Sequence, residues 1–171
     1  MASLYDLSIP VLTNMLACEE SLLKKAEDFA VENKIPVTEL LEARIHDDML
    51  PLGLQIVITI NQARRALETL TDLQAPALEK EALPQEEYHT QLSEMLKLLS
   101  DTKPESIKVQ PSDTVSILIP TGEVKCSAVE FVTGFTLPNA YFHVTTMYDI
   151  LRMKGVPLGK KDYLMHFLSK L

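Results

Sequence analysis

Between Leu4 and Lys103 apolar residues return every three or four positions, and Gly53 is the only glycine in the stretch. A half-buried strand would alternate in twos, so this period predicts long amphipathic helices sharing one core. Leu4, Leu7, Val11, Met15, Cys18, Leu22, Ala26 and Phe29 form one stripe of about seven turns. Asn33-Lys34-Ile35-Pro36 closes it. Thr38, Glu39 and Glu42 predict a second helix start, because a capping hydroxyl and first-turn acids satisfy free N–H groups and the positive dipole end. Leu41, Ile45, Leu52, Ile56, Ala63, Leu67 and Leu70 carry that helix to residue 72. Leu73 to Leu83 is a connection, and Pro84 with Glu86 and Glu87 opens a third helix whose stripe is Tyr88, Leu92, Met95 and Leu99.

The pattern then changes. Thr114 to Ile119 and Val124 to Val132 are β-rich runs around Pro120-Thr121-Gly122-Glu123, which predicts a hairpin. Leu137-Pro138-Asn139 starts a fourth long helix, with Ala140, His143, Met147 and Ile150 on one face, stopped by Gly155-Val156-Pro157. The expected fold is all-α: an up-down four-helix bundle in one domain over residues 1–171, with a small β-hairpin inserted before the last long helix. At 171 residues and 46% apolar, the chain has core enough to fold without disulfide or structural metal.

Charge excludes some partners. The net charge is −8, concentrated in residues 1–103, where 18 acids face 9 bases; no basic stripe exists to displace counterions from phosphates, so no nucleic acid is expected. No apolar run is long enough for a membrane span, and the first ten residues lack the pattern of a signal peptide. Cys18 and Cys126 are too few for a disulfide framework or a cysteine zinc site and suit a reducing, cytoplasmic setting.

The informative residues are polar ones on apolar stripes. In the second helix Asp48, Leu52, Gln55 and Thr59 step by four, three and four, placing a carboxylate, an amide and a hydroxyl on one face. Pro51 among them removes the hydrogen bond to the Asp47 carbonyl and bends a helix, one way of opening a cavity. The plainer reading is that Asp48 and Gln55 satisfy the freed backbone. On the fourth helix His143 lies between Ala140 and Met147 and points inward, as metal ligand, acid or base, or packed core residue. Facing Asp48 or Gln55, its ring would be oriented for acid/base work. His46 is about 200° round the helix from Asp48. His89 and His166 read as surface residues, Cys18 as core, and Arg152, Lys154, Lys160 and Lys161 as complements to a helix dipole. No phosphate-binding glycine loop, Gly-x-Ser-x-Gly elbow or His-Glu-x-x-His motif occurs.

Ala43-Arg44-Ile45-His46-Asp47-Asp48-Met49-Leu50-Pro51-Leu52 with Gln55 forms one block. Leu137-Pro138-Asn139, Phe142-His143, Tyr148, Ile150-Leu151-Arg152, Gly155-Val156, Gly159-Lys160 and Asp162-Tyr163 form another. Together they resemble the domain-of-unknown-function family DUF1993, and the likeness spans nearly the whole chain. The resemblance implies a branch of the DinB/YfiT-like superfamily of metalloenzymes, four-helix bundles in which one histidine from helix two and a His-x-x-x-His pair from helix four hold a divalent metal. His143 matches the first histidine of that pair, whereas the second position is Met147, and the helix-two region offers Asp48 and Gln55. A divalent metal is therefore the minority expectation, and no cofactor is expected. Dimerisation is common among similar bundles, so a homodimer is expected.

These readings converge on a small-molecule enzyme or binding protein with a pocket in the bundle core, taking a small apolar molecule. Met49, Leu52, Met147 and Leu151 would wall it, with His143 and Asp48 as catalytic groups and Gln55 binding and orienting. Isomerisation, cyclisation or dehydration without a metal is the expected chemistry. The alternatives are a non-catalytic ligand-sensing or dimerising module and a divergent metal-dependent thiol transferase.

Overall fold

The computed structural model describes residues 2–75, 77–119 and 121–168. Helix α1 runs Leu4–Asn33. It starts on a reciprocal cap, in which the Asp6 N–H donates to the Ser3 hydroxyl at 3.1 Å and the Ser3 N–H to the Asp6 carboxylate at 2.9 Å. It ends at Lys34, in the left-handed region at φ 57°, which lets the Ile35 N–H reach the Ala30 carbonyl at 3.0 Å. Next come α2 (Val37–Leu41), α3 (Leu52–Leu70), α4 (Glu87–Asp101), α5 (Ala128–Glu130), α6 (Leu137–Met153) and α7 (Lys160–Leu168). Strands β1 (Thr114–Ile119) and β2 (Gly122–Ser127) pair antiparallel between α4 and α5, with Val115 opposite Cys126 and Ile117 opposite Val124.

The four long helices make the bundle. Helix α1 packs on α4 and α6, and α3 packs on the same two, so the four close a ring around one core. Leu12, Met15, Leu16, Leu22, Leu52, Ile56, Met147 and Leu151 are completely or almost completely shielded there. A second apolar cluster joins Leu4 and Leu70 to Val115, Ile117, Phe131 and Val132. It seats the inward-facing residues of β1 against the bundle end.

Three expectations change. The helix predicted from Thr38 to residue 72 is two helices separated by an irregular segment. Leu50, preceding a proline, is disfavoured in helical conformation, and Pro51 becomes the residue before α3 (φ −70°, ψ 165°) rather than a kink within it. The Leu52 N–H closes the detour by donating to the Ala43 carbonyl at 2.9 Å. The third helix begins at Glu87, one turn after Pro84. The second strand ends at Ser127, not Val132, because Ser127 and Glu130 form another reciprocal cap that turns the chain into helix. From Ala128 the backbone stays helical into α6, widening to a π-turn over Phe131–Thr136, just ahead of Pro138, which has no N–H for a tighter ladder. Among the described residues no helix is long and apolar enough to cross a membrane.

Candidate functional site

The restart of α3 positions one amide. Gln55, one turn into α3, is buried and donates its side-chain N–H to the Leu50 carbonyl at 2.8 Å. The irregular segment before Pro51 supplies that carbonyl, so the break in the helix orients Gln55. Its other end, Oε1, lies 2.6 Å from Nδ1 of His143 on α6. An amide oxygen only accepts, so His143 carries its proton on Nδ1 and leaves Nε2 as a lone pair. Turning the amide over would set two oxygens against each other at Leu50. Burial pushes the His143 imidazolium down to about 4, so the ring is neutral at ordinary pH. Phe142 meets the ring edge-on, with centroids 5.2 Å apart.

His143 lines a cavity of about 310 Å³, at the lower end of small-ligand sites. Its apolar wall is Leu50, Ile58, Leu118, Ile119 and Phe135, drawn from α3, β1, the π-turn and the segment before Pro51. Its polar wall adds Asn61, Gln62, Arg65, Lys80 and Asn139. Asn61 ties down the connection after α3, donating to the Leu78 carbonyl at 3.0 Å and accepting from the Leu78 N–H at 3.1 Å. That tie brings Lys80 to the rim. Arg65 lies with its guanidinium carbon 5.7 Å from the Phe135 ring centroid. Burial holds its pKa below the usual arginine value, the charge of Arg64 adds to this, and Glu68 opposes it.

The predicted site residues separate. His143 and Gln55 meet, on elements far apart in sequence. Asp48 does not join them: it lies on the irregular segment, its side chain 83% exposed, and accepts from or shares a proton with His46 Nδ1 at 2.7 Å. The helical spacing that directed Asp48 inward and His46 away does not apply there. Leu52, Met147 and Leu151 are fully buried in the core and Met49 is half-buried; the His143 cavity is lined by other residues and lies on the flank of the bundle rather than along its axis. His89 is not a free surface residue, since its ring bridges Glu20 at 2.7 Å and Glu27 at 2.9 Å, joining α4 to α1. His166 lies half-buried on α7.

Spacing did not single out two buried polar groups. Gln62 is the next step of three after Thr59 on the face already identified, and its Oε1 is buried without a partner. Glu19 lies four residues after Met15 and three before Leu22, within the α1 stripe, and is completely buried with both carboxylate oxygens unpaired. Burial pushes its pKa well above the usual carboxylate range. The Thr59 hydroxyl acts in the opposite direction but directs its own proton to the Gln55 carbonyl at 3.1 Å. Cys18 beside it is an inert core thiol, pushed up to about 12 by burial, with the charges of Glu19 and Asp162 adding to the shift.

The residues present do not fit the three-histidine metal centre that the family resemblance implies. His143 is the one imidazole of the set, Gln55 has both polar ends engaged, and Met147 is a thioether packed in the core. Among the described residues no three His, Cys, Asp or Glu side chains cluster to hold a metal ion.

Residues 4–164 match the family described as a domain of unknown function, DUF1993. No curated protein matches the chain. The structure is similar to the crystal structure of a DinB family member from Shewanella denitrificans, with a TM-score of 0.83 and 31% sequence identity over 94% of this chain and 91% of that one. The chain therefore belongs to the DUF1993 family and shares the fold of the DinB/YfiT-like superfamily.

Proposed function

We propose that the flank cavity binds a small molecule and that His143 acts there as a metal-independent general base, in isomerase, cyclase or dehydratase chemistry. The observation that carries this reading is the Leu50–Gln55–His143 chain of hydrogen bonds, which holds a neutral imidazole in a single tautomer beside a cavity of ligand size. Burial keeps the ring unprotonated at ordinary pH and also weakens it as a base, so the proton it takes is one that the bound molecule itself acidifies. Its Nε2 takes a proton from a bound C–H or O–H, and Gln55 stabilises the imidazolium that forms by continuing to accept from Nδ1. Asp48 has no place in this scheme, because it is outside the cavity and in solvent.

The test works whatever the substrate is. Compounds that raise Tm are selected from a small-molecule library and followed in heavy water for exchange of their acidic C–H protons. Catalysed exchange by the wild type, absent in His143→Asn with binding retained, is expected. Equal exchange by both proteins overturns the reading.

A second reading, a non-catalytic module that dimerises, draws on exposed apolar side chains. Leu118, in the cavity wall, is 75% exposed, and Phe142, next to His143 in sequence, is 58% exposed, apolar surface that a second copy would cover. Light scattering that gives the mass of a monomer removes it.

A further inference from the structure

We propose that the occupant of the His143 cavity is a small organic acid whose carboxylate is taken by Arg65 and Lys80 and whose hydroxyl or amine donates to Gln62. The inference rests on the reading of that cavity as the ligand site and adds what the site selects.

The charge distribution points to an anion. The chain is acidic overall, at −8, yet no carboxylate lines this cavity; its charged groups are Arg65 and Lys80. The neighbouring Arg64 spends its guanidinium on both carboxylate oxygens of Glu68, each at 2.6 Å. Arg65 and Lys80 have no such partner among the described residues, and Arg65 is only partly open to water. Glu68, already bound by Arg64, offsets the burial of Arg65 only in part, and a partly desolvated guanidinium so placed is stabilised further by a bound carboxylate, whose two oxygens match its paired donors.

The second independent feature is Gln62. This side chain is 6% exposed, lines the cavity, and leaves its Oε1 without any donor. A buried acceptor left unpaired is a cost that a ligand hydroxyl or amine removes, and it discriminates against ligands that lack one. Ile58, Ile119 and Phe135 offer apolar contact to the remainder of the molecule.

Three matched probes separate these features: mandelate, with carboxylate and hydroxyl; mandelamide, with the hydroxyl but no charge; and phenylacetate, with the charge but no hydroxyl. Each is titrated into the wild type while the His143 ring signals are followed by NMR. Mandelate is expected to bind at least about tenfold more tightly than mandelamide and more tightly than phenylacetate. Arg65→Met should remove the advantage over mandelamide, and Gln62→Leu the advantage over phenylacetate. Should either variant fail to fold, weakening of mandelate but not mandelamide by added salt in the wild type tests the charge alone. Mandelamide binding as tightly as mandelate overturns the acid assignment and leaves the cavity as a ligand site. If no probe moves the His143 signals, the assignment fails, and if the library compounds also leave them unmoved, the reading of the cavity fails with it.

Discussion

Gln55 on α3 holds His143 on α6 through a 2.6 Å hydrogen bond, and the Gln55 amide is itself held at 2.8 Å by the carbonyl of Leu50, the residue before Pro51. Neither side chain is oriented by its own helix. The irregular segment that Pro51 closes just before α3 leaves a carbonyl free to orient the amide, and the amide sets the tautomer.

His143 should therefore titrate late. Its folded pKa, about 4, lies below the ordinary histidine value, so the folded protein binds fewer protons than the unfolded chain between the two. The stability this supports is present above about pH 6.5 and is lost as pH falls toward 4. NMR of the ring should show the Nδ1–H form down to about pH 5, and Gln55→Leu should cost about 1–3 kcal/mol by leaving a buried N–H unpaired. Titration of His143 near 6.5 would contradict the desolvated site.

Glu19 should lower stability at neutral pH. With its pKa raised in the fold, the native state binds more protons than the unfolded chain above about pH 4.5, so stability declines as pH rises from there. Glu19→Gln keeps the shape without the charge and should be more stable than the wild type near pH 8 and differ little from it near pH 4. The check is Tm measured against pH, where the two proteins should diverge upward.

The His89 bridge should act in the reverse sense. Burial pulls its pKa down, but the hydrogen bonds to Glu27 and Glu20 and the charges of both acids outweigh it and hold it above the ordinary value. A raised histidine pKa contributes stability fully present below about pH 6.5 and lost as pH rises through the folded value. His89→Gln should be less stable than the wild type at pH 6 and approach it at pH 9, with urea midpoints as the readout. The bridge is a third exposed, so the difference should be modest.

Gly53 and Tyr88 should be coupled. A Cβ at Gly53 would overlap the Tyr88 hydroxyl, which accepts from the Leu83 N–H at 3.2 Å and is not free to swing away. Gly53→Ala should cost about 1–3 kcal/mol, and Tyr88→Phe in the same chain should recover part of it. Additive effects in denaturant melts would show that the contact is not what limits the position.

Apolar periodicity was sufficient to identify the four long helices, because a helix must bury its stripe whatever its neighbours are, and the β-rich runs on either side of a turn marked the hairpin; His143, read as pointing into the core, is half-buried on the flank. The same periodicity misplaced Asp48, since it assumed an unbroken helix across Pro51 and could not see that the chain leaves helical geometry after Leu41 and resumes it at Leu52. Gln62 was within reach of the spacing argument, three residues beyond Thr59. Arg65 and Lys80 were not: nothing local distinguishes them from solvated cations. Their place in the cavity wall depends on the hairpin, the π-turn and the connection pinned by Asn61 arriving on one flank of α3 and α6. Burial patterns belong to single elements and are written in the sequence; a site assembled from six segments depends on distances between elements, which only tertiary packing decides.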